Sequence, residues 1–177
     1  MRIGIAGPIS MKMLRPLFPP GTEFPTTLEF PLIAILAEQF HRRGHEIVVF
    51  ALSRLISQMQ VYYGDRIHVY VCPMRRPRWQ MLDFWRGERV ALRDAMRMSN
   101  CDVIHAHWTY EFGAAAIESG VPHVVTAHDN PMAVLRYARH PFWLEKPFLA
   151  CPVLRKAQHV TAVSQYVADS LHQFLRP

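Results

Sequence analysis

Two kinds of hydrophobic pattern alternate along this chain. The runs Arg2–Ala6, Glu46–Leu52, Arg66–Cys72, Asp102–His107, Pro122–Ala127 and Val160–Val163 are apolar but too short for helices, and they predict strands. Between them lie longer stretches with apolar residues three and four apart, which predict helices. Leu32, Ile35, Leu36 and Phe40 form one face of a helix that Thr26 or Thr27 can cap, with Pro31 in its first turn and Gly44 as its stop. Ser53–Gln60 reads as a short helical piece. A longer helix is expected from about Trp79 to Met98, with Leu82, Trp85, Leu92 and Met96 as its apolar row. Phe112–Ser119, a proline-broken region Met132–Lys156 containing Pro141, Pro147 and Pro152, and Gln165–Leu175 before the final Pro177 complete the helices. Strands read as continuous apolar runs when helices bury both faces of a parallel sheet. The order predicts one doubly wound α/β domain over residues 1–177, with a mostly parallel, Rossmann-like sheet.

Three of the apolar runs end abruptly in polar or ionisable residues: Asp102-Val-Ile-His-Ala-His-Trp108, Gly120-Val-Pro-His-Val-Val-Thr-Ala-His-Asp129 and His159-Val-Thr-Ala-Val-Ser164. In open parallel sheets, ligands sit in the crevice outside the carboxyl ends of the strands. His107, His128, Asp129 and Ser164 lie at those ends, so a site is expected on that edge. The loop Pro8–Pro25, with Pro16, Pro19, Pro20, Gly21 and Pro25, is long enough to suggest a functional segment.

Composition narrows the classes. Half of the 177 residues are hydrophobic and 19% are charged, as in a globular chain. No apolar stretch approaches the roughly 18–20 residues of a membrane-spanning helix, and the opening strand is too short for a signal sequence. Cys72, Cys101 and Cys151 are an odd trio without paired spacing, which fits reduced thiols in a cytoplasmic protein. The net charge of +6 comes from 17 arginines and 3 lysines, and the arginine fork suits phosphates and anionic head groups. No helix-turn-helix, zinc-finger or RNA-recognition signature supports a nucleic-acid partner. Neither a Ser-His-Asp arrangement nor a P-loop is present, and Gly4 and Gly7 lack the dinucleotide spacing.

The opening Met1-Arg-Ile-Gly-Ile-Ala, Leu36-Ala-Glu-Gln-Phe-His-Arg-Arg-Gly-His-Glu-Ile-Val-Val49 and the three runs ending in polar residues, taken in this order, resemble the N-terminal half of a family-4-type glycosyltransferase of the GT-B fold. The resemblance implies two facing Rossmann-like halves, the first holding the acceptor and the second the nucleotide-sugar. It implies a retaining transfer of a hexose or similar sugar to a glycan or lipid-linked acceptor. A C-terminal donor-binding domain or split partner is then expected. This chain carries no cofactor of its own, and a nucleotide-sugar donor belongs to the complete enzyme. By the same resemblance His128 falls beside the reacting sugar. An imidazole there can hydrogen-bond a sugar hydroxyl, and Asp129 can hold an acceptor hydroxyl or serve as a base. Gly7, Gly21, Thr22, His107, Trp108 and Ser164 are the expected substrate contacts. The family's adjacent glycines near the donor phosphates are replaced here by Pro20-Gly21-Thr22. Glu38 and Glu46 match the donor half's Glu-x7-Glu spacing by coincidence, because Glu46 opens a strand.

Other readings of these residues stay open at this stage. Asp129-Asn130-Pro131 can be a helix-capping turn, and Ser164 the N-cap of the last helix. His105 and His107 point to one face of their strand and, with His128, could serve a metal-dependent hydrolase. The chain has no room for that class's further ligands, and no metal is assigned. A stand-alone binding module without catalysis is the rival from another class. Finally, Arg86, Arg89, Arg93 and Arg97 follow helical spacing near Trp79, Phe84 and Trp85. Such a face could rest on an anionic membrane surface, placing the protein peripherally at the inner face, or it could be the solvated side of an ordinary helix.

Overall fold

The computed structural model describes residues 1–138 and 143–175. Seven strands, β1 (Arg2–Ala6), β2 (Glu46–Ser53), β3 (Gln60–Gly64), β4 (Ile67–Pro73), β5 (Val103–His107), β6 (His123–Ala127) and β7 (His159–Ala162), form one sheet in the order β3-β4-β2-β1-β5-β6-β7. All neighbours are parallel except the edge pair β3–β4. β1 sits between β2 and β5, where the strand order reverses, and this opens a crevice above the carboxyl ends.

The helices are α1 (Met11–Leu14), α2 (Pro31–Arg42), α3 (Pro77–Leu82), α4 (Arg86–Met98), α5 (Glu111–Ser119), α6 (Pro131–Ala138), α7 (Lys146–Lys156) and α8 (Gln165–Leu175). Alternate strand residues feed two cores. Ile5, Val49 and Val69 pack beneath Ile33, Ala34 and Ala37 of α2. Val48, Phe50, Ile104 and Ala106 pack with Leu92 and Met96 of α4 and Phe112 of α5. Burial on both faces explains the unbroken apolar run of β2.

Several expectations are corrected. Ser53–Gln60 is not helical. Instead Gln60–Gly64 forms an antiparallel edge strand joined to β4 by Asp65-Arg66, where Arg66 takes the left-handed backbone (φ 51°) that glycine usually holds in such hairpins. α2 begins at Pro31 without a side-chain cap, and Thr27 Oγ1 instead donates to the Ile9 carbonyl at 3.1 Å. Its buried stripe is Ile33, Ala34, Ala37 and His41, while Leu32 is 66% exposed. Small alanines let the helix approach the sheet closely, and His41 Nε2 is held by the Asp65 carbonyl at 2.6 Å. The proline-rich first loop contains α1 and a 3-10 turn at Arg15–Leu17. Pro141 and Pro177 lie outside the described residues. Glu38 accepts from Arg42 along α2 and Glu46 pairs with Arg2, so the two glutamates share no task.

The helix expected over Trp79–Met98 is broken into α3 and α4. Phe84 (φ 51°) and Trp85 (φ 60°) are both left-handed, each at a cost of roughly 1–2 kcal/mol. Arg75 holds the bend from outside, donating to Asp83 at 2.8 and 2.9 Å and to Glu88 at 2.6 and 3.1 Å. Burial pushes the Glu88 carboxyl up, but hydrogen bonds from the Arg75 side chain and backbone win and hold it below the usual range. The arginine row of α4 is largely engaged within the molecule. Arg89 pairs with Glu118 at 2.9 Å, Arg93 with Asp94 at 2.8 Å, and Arg97 donates to the carbonyls of Glu118 and Ser119.

Glu88→Ala is expected to cost about 2 kcal/mol, because the Arg75 amide and the buried Gln80 Nε2 lose their acceptor, whereas exposed Arg86→Ala should stay within about 0.5 kcal/mol. Urea unfolding measures both. Equal, small losses in the two variants would mean that the bend is held by something other than Glu88.

Candidate active site

Parallel pairing places His107 of β5 opposite Thr126 of β6, and the Trp108 amide continues the ladder by donating to the Thr126 carbonyl at 3.0 Å. Strand alternation puts His105, His107, Thr126 and then His128 on one face. His105 Nε2 lies 2.6 Å from Thr126 Oγ1, which in turn lies 2.7 Å from Thr161 Oγ1 of β7. The His105 and His107 rings face each other at 4.3 Å, and His107 Nδ1 lies 3.0 Å from His128 Nε2. Phe30 meets the His128 ring edge-on at 5.6 Å. Gly7, just past β1, lacks a side chain for a steric reason: a Cβ there would sit 3.0 Å from both His107 Cβ and Ile33 Cδ1.

Burial lowers the pKa of all three imidazoles, and His105 and His128 push His107 further, to about 3. They are therefore neutral near pH 7. His107 Nε2 is buried without a hydrogen-bond partner among the described residues. Orphaned buried N–H groups are rarer than orphaned acceptors, which assigns the His107 proton to Nδ1. That N–H donates to His128 Nε2, so His128 carries its own proton on Nδ1.

Next to this pair, the segment after β5 and the start of α7 enclose a cavity of about 240 Å³, lined by Trp108, Tyr110, Asp129, Trp143, Lys146 and Arg54 among others. Tyr110 donates its hydroxyl to Asp129 Oδ1 at 2.6 Å. Lys146 is 4% exposed; its ammonium lies 4.4 Å from the Trp85 ring, 4.6 Å from the Tyr110 ring and 3.5 Å from Glu111 Oε2. Trp85 donates Nε1–H to Glu145 Oε1 at 2.6 Å. Burial raises the Asp129 pKa, while the Tyr110 hydrogen bond and the charges of His128 and Lys146 pull it back. Asn130, not Asp129, caps α6: its Oδ1 accepts from the amides of Met132 at 2.9 Å and Ala133 at 3.3 Å. Asp129 is thereby left to the cavity.

The structure thus brings together Gly7, His107, Trp108, His128 and Asp129. It does not bring in the others. Gly21 is exposed, and Thr22 donates to the Pro19 carbonyl at 2.8 Å and lines a separate hollow of about 310 Å³. Ser164 Oγ accepts from the Val167 amide at 3.3 Å as the cap of α8. The three histidines do not converge as metal ligands: His105 Nε2 faces Thr126 and His107 Nδ1 faces His128. Among the described residues no group of three His, Cys, Asp or Glu is placed to hold a metal. Sequence reasoning missed Tyr110, Glu111, Glu145 and Lys146, and it assigned Trp85 to a helix row. The polar Thr109-Tyr110-Glu111 directly after β5 was the available signal for two of them.

A seven-stranded, mostly parallel sheet with its ionisable residues gathered on the carboxyl edge defines a Rossmann-like half of the GT-B type. The chain matches the Glycosyltransferase Family 4 model over residues 32–177, and it belongs to that family. Curated protein sequences yield no match. Similar solved structures include the α,α-trehalose 6-phosphate synthase of Burkholderia multivorans (TM-score 0.60, 11% identity) and the UDP-forming enzyme of Burkholderia vietnamiensis (0.54, 10%). A third is the E. coli trehalose-6-phosphate structure bound with UDP-2-fluoro glucose (0.56, 11%). Each covers 99% of this chain, whereas this chain spans 42%, 42% and 44% of theirs, less than half their length. At such identities the likeness is one of fold.

The buried imidazoles set a pH dependence. Below the unfolded value of 6.5 the unfolded chain takes up protons that folded His107 refuses until about pH 3, so stability is complete above pH 6.5 and falls as pH drops. His107 alone should contribute a slope approaching about 1.4 kcal/mol per pH unit between pH 6 and 5, and His107→Gln should make the loss shallower. Urea midpoints at pH 7, 6 and 5 read this out. Parallel losses in the wild type and the variant would show that His107 is not held neutral.

Proposed function

We propose that residues 1–177 form the acceptor-binding half of a retaining, sugar-nucleotide-dependent glycosyltransferase acting on a glycan or lipid-linked acceptor. The observation that carries this is the cavity lined by Trp108, Tyr110, Trp143 and Asp129, whose chain neighbours His107 and His128 pair with each other. Aromatic faces suit the apolar faces of a sugar ring, and a carboxylate accepts from its hydroxyls. Asp129, with its raised pKa, takes the proton of the attacking acceptor hydroxyl, and Lys146 stabilises the carboxylate in its ionised form. His128, oriented by His107, donates Nδ1–H to an oxygen of the transferred sugar.

The donor is a nucleotide-sugar held by a second Rossmann-like half, supplied by a C-terminal domain or a separate chain. Two findings support this: the family membership, and the greater length of structures with this fold, one of which binds UDP-2-fluoro glucose. The first loop adds little to such binding, because Gly21 and Thr22 stand apart from the cavity that Asp129 lines. A cytoplasmic setting fits buried Cys72 and Cys101, whose thiols burial pushes up, Cys72 to about 12. No helix among the described residues is long and apolar enough to cross a membrane.

The purified 177-residue chain should turn over no common nucleotide-sugar by itself, and transfer should require the donor half. In the complete enzyme His128→Ala should lower kcat by roughly 10²-fold or more while the fold survives. Radiolabelled sugar transfer measures both. Near-normal kcat in a folded His128→Ala variant removes the residue from the mechanism. Saccharide binding in the absence of any transfer by the completed protein would favour the stand-alone binding module.

A further inference from the structure

The charge expected to lie free along α4 is spent inside the protein, but the charge one turn earlier is not. Arg76, Arg78 and Arg86 are exposed around α3 and the bend. The same bend holds Trp79, Leu82 and Phe84 out at 50%, 73% and 46% exposure, and Phe148 on α7 is 70% exposed. The Phe84 and Phe148 rings meet at 6.4 Å, so the bend and α7 share one apolar knob. The Arg78 guanidinium lies 5.2 Å over the Trp79 ring. Of the carboxylates nearby, Glu118 pairs with Arg89, and Asp83 shares Arg75 with the buried Glu88, a single negative excess against the three exposed arginines. The charge left at the rim is positive.

We propose that this corner between α3 and α7 is a binding surface for anionic bilayers. Aromatic and aliphatic side chains ringed by arginines match a layer in which acyl chains lie beneath negative head groups. Indole rings and arginine stems are apolar bodies with polar tips, suited to the head-group level. Charge of one sign around an apolar centre fits a continuous negative surface without needing paired carboxylates at fixed positions. The placement also has a consequence for the site. Phe84 and Phe148 stand beside Trp85 and Lys146, which line the acceptor cavity from the other side. A bilayer seated here presents a lipid-linked acceptor next to its cavity; this last step rests on the proposed function, whereas the surface itself does not.

The test is co-sedimentation of the 177-residue chain with vesicles of phosphatidylcholine alone or mixed with phosphatidylglycerol. The expected result is binding to the anionic vesicles only, falling steeply with salt because the attraction is screened within about 8 Å at physiological ionic strength. Leu82→Ser with Phe148→Ser should abolish it, Arg76→Gln and Arg78→Gln should each weaken it roughly fivefold, and Arg93→Gln should leave it unchanged. Brominated acyl chains should quench tryptophan emission in the wild type and lose most of that effect in Trp79→Phe. The substituted side chains are exposed, and circular dichroism confirms the fold of each variant. The proposal falls if anionic vesicles fail to sediment the chain, or if binding and quenching survive these apolar substitutions. Concentration-dependent self-association removed by Leu82→Ser with Phe148→Ser, without vesicle binding, would assign the corner to a second copy instead. Absent sugar transfer by the chain completed with its donor half would overturn the functional reading and leave the vesicle result standing.

Discussion

The inward turn of Trp85 is the constraint on which the cavity and its surroundings depend. Two consecutive left-handed residues cost roughly 2–4 kcal/mol together. Burial of the indole, 4% exposed, returns on the order of 2–3 kcal/mol, and its hydrogen bond to Glu145 about 1 kcal/mol more. The local balance is near zero, so the Arg75 clamp on Asp83 and Glu88 decides it. In return the indole ties the β4–β5 crossover to the start of α7, 60 residues along the chain. The rings of Trp85 and Tyr110 and the Glu111 carboxylate near its ammonium help offset the burial of Lys146.

Charge is handled differently in the two parts of the site. The histidine row is kept neutral by burial, and its hydrogen bonds run along two lines, Thr161–Thr126–His105 and His107–His128. Around Lys146 aromatic faces and the Glu111 carboxylate are gathered instead. Asp129 lies between them, with Tyr110 on its oxygen and His128 as its chain neighbour. The Lys146 charge pulls the Asp129 pKa down, and burial, the larger influence, holds it up. A carboxylate whose pKa is raised is suited to proton abstraction from a hydroxyl.

What the sequence revealed follows from locality. β1, β2, β5, β6, β7 and α8 were legible because each is set by its own residues: unbroken apolar runs for the inner strands, and helical periodicity for Gln165–Leu175. The carboxyl-edge rule then located His107, His128 and Asp129 without any contact being known, and with them Ser164, which caps α8 instead. β3 was hidden because its hairpin uses Arg66 where a glycine would have signalled the turn. The face of α2 was misread because two stripes satisfy helical spacing, and the alanines that allow close approach are less conspicuous than Leu32 and Ile35. Lys146 and Glu145 were hidden for another reason. They lie in a proline-broken stretch and acquire their role only through Trp85, a partner distant in sequence.

The helix break also couples two surfaces that a straight helix would have kept apart. On a continuous helix Leu82 and Trp85, three residues apart, would share one face, and Phe84 would point elsewhere. With the break, Trp85 turns into the core while Leu82 and Phe84 stay in solvent. The same backbone event therefore completes the cavity on one side and raises the apolar corner on the other. Neither can be removed through the backbone without the other, since straightening residues 83–85 would withdraw the indole from Glu145 and Lys146 and rotate Phe84 away from Phe148. Side-chain substitution is the means of separating them: Leu82 and Phe148 touch only the outer surface, whereas Glu88 and Arg75 act on both through the bend.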